Sequence, residues 1–318
     1  MGLFQNKKIQ SLIALIIVLM TILWIFQNNV FGISNFKSSP SELKALELKS
    51  EDLPYIEKIE NFSINEYSDD EKILYEIIAD TYFSYKNSPI ELLNVLVKTY
   101  DDSQKEGAIL SSKLAQILES NEIIFNGNVN IKTVNSVHHE IESEILIYDL
   151  DKGEIISNTN VLYSGENAKI KAIGMHMKIN DDKLLLKDAV NISDESGSIV
   201  DTSQLLINHS NGEKIYTSDN KTFYRSDENE ITANAGLKME MMKNLTNLLG
   251  KVTILQKSGT KINTSNLEID NSDDLEIYKT DYPTEYVSSE TYIKANKMYY
   301  DVISKKINLI GAVKAVYE

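Results

Sequence analysis

The residues best equipped for chemistry are the adjacent pair His138-His139 and the more distant His176. Neighbouring side chains on a strand point to opposite faces, so His138 and His139 cannot close on one ion, and no second pair stands at ligand spacing. They read as solvated or core histidines, and no metal is expected. Gly250-Lys251 lacks the upstream glycine and the following Ser or Thr of a phosphate loop. Neither Gly-x-Ser-x-Gly nor His-Glu-x-x-His occurs, which disfavours a hydrolase. The acidic clusters Ser68-Asp69-Asp70-Glu71 and Ser272-Asp273-Asp274 have the composition of turns. A net charge of −15 argues against nucleic acid and against adhesion to an anionic membrane surface. The chain therefore reads as a non-enzyme without a cofactor. What remains is noncovalent chemistry, the shielding of apolar matter from water.

The elements that would do this begin after an anchor. Ser11–Phe26 carries no charge and follows Lys7 and Lys8. It spans about 24 Å as a helix, and the stretch from Ile9 to Phe31 is long enough for a hydrocarbon layer of ~30 Å. No small-x-small cleavage site follows Phe26, so residues 1–31 read as a cytoplasmic stub and one retained transmembrane helix. With the two lysines held inside, residues 32–318 lie outside the cytoplasm. Residues 32–54, broken by Gly32, Pro40 and Pro54, read as a linker in which Glu42–Glu51 forms a short helix. From Tyr55 the pattern becomes short strand-like runs between Asn, Asp, Gly and Ser clusters, the punctuation of an all-β protein. Ile73–Ile78 fits either period and is assigned to a strand on its β-branched and aromatic content. Zero cysteines mean that packing and backbone pairing hold these strands, with no disulfides.

A repeat organises the strands. Ile170-Lys171-Ala172-x-x-Met175 leads through a polar turn to Ala189-Val190, and Ile293-Lys294-Ala295-x-x-Met298 leads likewise to Ala312-Val313. Looser copies run from Ile231 to Val252 and from Leu110 to Val129. Each unit is too small to bury its own apolar face, so the units must stack and share a core. Alternation places Phe125, Val129, Ile131, Leu184, Leu186, Ile254, Ile307 and Leu309 on the inward face, where they would line an apolar groove or fill an ordinary core. At ~0.8 kcal/mol per buried methylene, such a groove could hold acyl chains. Met239, Met241 and Met242 fit the filling of core gaps.

The N-terminal anchor, Ile59-x-x-Phe62, the strand pair ending in Ile77-Ile78-Ala79-Asp80, and Ser111-Ser112-x-x-Ala115 before Ile123-x-Phe125-x-Gly127-Asn128-Val129 together resemble the LptC family of lipopolysaccharide export proteins, as far as about Ile192. Gly250–Gln256, Gly259–Ile262 and the closing unit from Ile293 to Val313 look like the related LptA/OstA bridge proteins. The resemblance implies a twisted open β-jellyroll of stacked antiparallel hairpins, with an LptC-like part at 55–195 and an LptA/OstA-like continuation at 196–318. It implies a bacterial inner-membrane protein whose C-terminal region lies in the periplasm. Such a protein accepts lipopolysaccharide from an Lpt-type ABC transporter and passes it towards the outer membrane. The next partner would be an LptA-type bridge protein or another copy of the jellyroll, held at an edge strand carrying Ile307, Leu309, Val313 and Val316. Two other classes stay open: an anchored interaction scaffold, whose interior would be sealed by side chains, and a less favoured envelope-remodelling enzyme, which would need converging carboxylates. The anchor makes a direct expectation. Intact mass measurement on the membrane-extracted protein should show residues 1–31 retained, and a mature chain starting near residue 30 would rule the anchor out.

Overall fold

The computed structural model describes residues 55–317 apart from 135–138, 166–167, 180, 195–196 and 273–274. The anchor, the linker with its Glu42–Glu51 helix, His138, Asn180 and the Asp273-Asp274 turn lie outside the described residues. Nine long strands come first: β1 (Glu57–Tyr67), β2 (Ile73–Ser84), β3 (Ile90–Tyr100), β4 (Glu106–Ile117), β5 (Glu122–Thr133), β6 (Glu140–Asp149), β7 (Glu154–Ser164), β8 (Ala168–Lys178) and β9 (Lys183–Asp194). Shorter pieces follow: β10 (Ile199–Thr202), β11 (Leu205–Asn208), β12 (Ile215–Ser218), β13 (Thr222–Arg225), β14 (Asn229–Ala233) and β15 (Leu237–Glu240). After the long β16 (Leu245–Gln256) and β17 (Lys261–Asp270) come β18 (Ile277–Thr280), β19 (Thr284–Val287), β20 (Thr291–Ala295), β21 (Lys297–Asp301), β22 (Lys306–Ile310) and β23 (Lys314–Tyr317). All belong to one antiparallel sheet, and the ambiguous segment at Ile73 is a strand. The sheet crosses from β9 into β10 and β11 without a break.

The short pieces are halves of bent strands. β10 and β11 pair with the two ends of β9, and β14 and β15 with the two ends of β16, so each pair continues one strand across a kink. The long strands bend at the same level. Register shifts fall at Ser111/Leu114, Asn126/Val129, Ser143/Ile147, Ser157/Asn160 and Lys171/Ile173. There the backbone turns left-handed, at Asn61 (φ 54°), Asn94 (48°), Asn128 (54°), Ala189 (46°), Asn266 (44°) and Ala312 (47°). Each of these residues precedes an apolar one: Phe62, Val95, Val129, Val190, Leu267 or Val313. An inserted left-handed residue bends a strand and raises its local twist, and asparagine tolerates that conformation better than most. Aligned across every strand, the bends fold the sheet along one line into two facing walls.

A bend interrupts the hydrogen-bond ladder on the buried side, and hydroxyls repair it. Thr202, Ser218 and Thr222 form one cluster and Thr264, Thr280 and Thr284 another, with each member displaced by 62 residues. Ser218 donates to the Ser203 carbonyl at 2.7 Å, and Thr280 to that of Ser265 at 2.8 Å. Ser157 donates in the same way to Ile145 at 2.8 Å. A buried carbonyl without a partner costs roughly 1–3 kcal/mol, which explains polar residues in an otherwise apolar interior. The repeated hairpins seen in the sequence alternate with these hydroxyl-bearing ones, and their first residues Leu110, Ile170, Ile231 and Ile293 recur at intervals of 60, 61 and 62 residues.

At two bends the backbones approach so closely that only glycine fits. A Cβ on Gly236 (φ 99°) would stand 1.8 Å from the Ser218 carbonyl oxygen, and one on Gly250 (φ 75°) would stand 2.6 Å from the Ala235 Cβ. Gly153 has a similar φ of 65° but open space around it. Chemical denaturation should therefore show Gly236→Ala costing more than about 3 kcal/mol and Gly153→Ala about 1 kcal/mol. Equal losses would show that the close approach at the bend carries no strain.

Candidate functional site

The inner face of the folded sheet is an unbroken apolar track. Directly paired residues run across every strand of one wall: Ile64, Ile77, Val97, Leu110, Ile131, Ile141, Tyr163 and Ile170, then Ile192, Val200, Tyr224, Ile231, Ile254, Ile262, Tyr286, Ile293 and Ala315. The opposite wall carries a second file through Ile123, Tyr148, Ile155, Met177, Leu184, Ile207, Tyr216 and Met239 to Ile269, Tyr278, Tyr300 and Ile307, broken only by Thr246. Paired residues share a face, so this register places one apolar surface along the length of the sheet.

Of the inward positions read from the sequence, Phe125, Val129, Ile131, Leu184, Leu186 and Ile254 are buried, at 0–1% exposure. They belong to one core cluster against which Ile307 and Leu309 pack half-buried. The interior at rest is filled by its own side chains. Packing loosens at both ends. At the first edge Ile59 and Ile64 are exposed. At the last edge Val313 is 51% and Val316 59% exposed. Val313 stands two residues before the paired Ala315, on the inward side, whereas Val316 pairs with Tyr292 on the outward side. Among the described residues β1 pairs only with β2, β22 only with β21 and β23 only with β20, which leaves a strand edge unpaired by them at each end.

Opposite the bend line, the walls meet through side chains. His139 and Tyr163 come from one wall, and His209 and Tyr216 from the other. The imidazoles stack at 4.8 Å between centroids, and Tyr216 stacks on His209 at 5.9 Å. The Tyr163 hydroxyl lies 3.3 Å from His139 Nδ1. Tyr216 reaches over Gly165, whose missing Cβ would be 3.4 Å from the phenol oxygen. Further along, Ser226 and Tyr278 touch at 3.4 Å, and Tyr300 lies against Asn229 and Gln256. The Tyr278 phenol is pushed up, first by burial and then by Tyr224 from the facing wall. Sequence reading missed this row because its partners sit as far apart as His139 and His209. The excess of 17 tyrosines over 8 phenylalanines was the available signal, since a rim that is apolar on one side and wet on the other favours a hydroxyl.

Other chemistry is sparse. Among the described residues no group of three or more His, Asp or Glu could hold a metal. His176 stands 3.5 Å from Glu154 at the surface. A hollow of about 670 Å³ near the bend is lined by Asn128, Asn130, Glu142, Glu144 and Lys171 together with Val129, Val161, Leu162 and Ala172.

These features define a class: an all-β protein built as a folded meander, with a continuous apolar interior and, among the described residues, an unpaired strand edge at either end. The chain belongs to the LptC-related lipopolysaccharide-assembly family, whose sequence profile matches residues 12–195 and 215–318. The same family match covers 215–318, well past Ile192, where the sequence alone led to the expectation of an LptA/OstA-like part, and it supports a role in lipopolysaccharide export. No curated protein sequence matches the chain.

The histidine stack gives a pH dependence. Burial first, and the His209 charge second, push His139 down to about 4 from its ordinary value of 6.5. The aromatic groups packed around it include Tyr163 and His209, with Tyr216 stacked behind His209. With a depressed folded-state value, the unfolded chain binds the proton first. The stabilisation is therefore complete above about pH 6.5 and is lost as pH falls towards 4, by up to roughly 3 kcal/mol. His139→Phe keeps the ring and removes the titration. Its denaturation midpoint should fall less between pH 7.5 and 5 than that of the unsubstituted protein, and an equal fall would show that the stack does not titrate.

Proposed function

We propose that this protein is a membrane-anchored lipid-transfer component of lipopolysaccharide export, with its folded sheet working as a periplasmic β-jellyroll trough. The observation that carries this reading is the apolar track, which keeps one register from Ile64 to Ala315 and so offers acyl chains the same surroundings at every step. Uniform surroundings allow movement along the track without deep traps. No reaction is required of the protein, and direction must come from an ATPase elsewhere, here an Lpt-type ABC transporter at the anchored end. The free edge at β22–β23 suits backbone pairing with an LptA-type bridge protein or a second copy of the trough. In this reading Lys7 and Lys8 hold the stub in the cytoplasm, and 55–195 and 196–318 work as one trough.

One observation favours a second reading, an anchored interaction scaffold: the interior is filled by its own side chains. Photocrosslinking separates the two. A photoreactive residue at Phe125 or Ile254 in cells should give lipopolysaccharide adducts, and one at the outward Lys169 should give none. Absence of adducts from every inward position would favour the scaffold. Deleting Lys306–Glu318 should leave the Phe125 adducts in place while abolishing capture of the next subunit; capture at full affinity by the shortened chain would refute the edge assignment.

A further inference from the structure

The backbone contacts of the sheet recur with a fixed period. The amides of Ile179, Met241 and Val302 donate to the carbonyls of Gly153, Lys214 and Glu276 at 2.8, 2.9 and 2.9 Å, so the same bond returns after 62 and then 61 residues. The turns that open each period match as well: the amides of Gly165, Ser226 and Ser288 donate to the carbonyls of Ala168, Asn229 and Thr291 at 2.9, 3.0 and 2.9 Å. Residues 229–290 run from one such turn to the next and hold four strand layers, β14 with β15, β16, β17, and β18 with β19. Register repeats with the bonds. Tyr224 pairs with Ile231 and Tyr216 with Met239 across the first boundary, as Tyr286 pairs with Ile293 and Tyr278 with Tyr300 across the second. Inward positions keep their character from period to period, as in Phe125, Leu186, Leu248 and Leu309. Outward ones do not. The directly paired Ile124, Ile147 and Ile156 give way, within 229–290, to the directly paired Lys238, Asn247, Glu268 and Lys279, of which Lys279 bridges to Glu268 at 2.6 Å.

We infer that residues 229–290 are an interchangeable length module, whose contribution is the distance it sets between β1 and the edge at β22–β23 and not a site of its own. In a repeat array each unit touches only its neighbours, so a whole unit can leave without depriving the remaining ones of any kind of contact. Joining Glu228 to Thr291 rebuilds the same turn. It sets Tyr224 opposite Ile293 and Tyr216 opposite Tyr300, the places that Tyr286 and Tyr278 hold in the intact sheet, so the apolar track stays unbroken. The charged outer row of the unit is an ordinary solvated surface, which calls for no partner. What the excision removes is about 19 Å of sheet, four strands at ~4.8 Å each. The use of that distance rests on the lipid-transfer reading, whereas the interchangeability rests on the fold alone.

The test compares the full chain in membranes, carrying a photoreactive residue at Phe125, with three variants. The first lacks 229–290. The second has a further copy of 168–228 in their place, which begins at the equivalent turn residue Ala168. The third lacks only 229–260, which removes two of the four layers and sets β13 against β17, strands that do not pair in the intact sheet. Loss of 229–290 should leave one cooperative denaturation transition and undiminished lipopolysaccharide adducts at Phe125, whereas loss of 229–260 should abolish the cooperative transition. In cells whose outer membrane is supplied through this chain, the form without 229–290 should deliver about tenfold less lipopolysaccharide, because a connection too short for its span has an effective concentration near zero. The copy of 168–228 should restore delivery. A first variant that fails to fold, or that loses its Phe125 adducts, would overturn the module. So would equal tolerance of the 229–260 deletion, undiminished delivery by the shortened chain, or a 168–228 copy that leaves delivery unrestored. If the full chain itself gives no adducts at Phe125, the lipid-transfer reading falls and takes the assigned distance with it, while the denaturation results still decide whether the unit is interchangeable.

Discussion

The constraint on which the rest of the structure depends is that every strand must bend at the same level. A long meander of antiparallel strands has two faces and, left straight, can bury neither against itself. In many strands a left-handed residue near the middle, such as Asn94, Asn128 or Asn266, turns the sheet along a common line and brings its apolar face inward. The requirement is local in cause and global in effect. A strand without its bend would carry its second half away from the facing wall and expose the file that runs through Ile131 and Ile254.

Bending breaks backbone pairing, and much of the unusual composition follows from the repair. Asparagine serves twice. As Asn61, Asn94, Asn128 and Asn266 it takes the left-handed conformation itself. As Asn234 and Asn266 it accepts the Lys251 and Gly250 amides through its side chain, at 2.7 and 2.8 Å. Threonine and serine serve the carbonyls on the inner side, where a hydroxyl is small enough to sit among isoleucines and valines. The two copies of the hydroxyl cluster, 62 residues apart, show that the bend and its repair recur as a unit.

Much of this was legible in the sequence. Alternation gave Ile123, Phe125, Val129 and Ile131 on β5, and all four are buried. The repeated Gly-x-Val and Ala-Val signatures marked real hairpins, and the residues before those valines proved to be the bend itself. What alternation could not give was the phase slip at some of the bends. On β8 both Gly174 and Met175 are buried side by side, and on β6 the inward positions jump from Ser143 to Leu146. Neither could it find the row of side-chain contacts between the walls. His139 read as a core or solvated histidine because its partner, His209, lies 70 positions away and faces it only once the sheet has folded. Nor does a period of two separate a filled core from a lined channel, since both need the same alternation. That distinction rests on energetics and motion.

Those energetics set a limit on how the trough can work. At ~0.8 kcal/mol per methylene, several long acyl chains in a permanently open groove would be bound too tightly to move on. A trough that closes on its own side chains must give up part of that packing to admit a lipid, and the loss offsets most of the gain. Binding then becomes shallow at every position, as transfer along a line of equal sites requires. The loosened packing at Ile59 and Ile64 at one end, and at Val313 at the other, fits the same logic, because the ends are where self-packing has no neighbour to complete it. Pairing with the next subunit would supply that neighbour and carry the track onward, so that lipid meets no break in surroundings as it leaves.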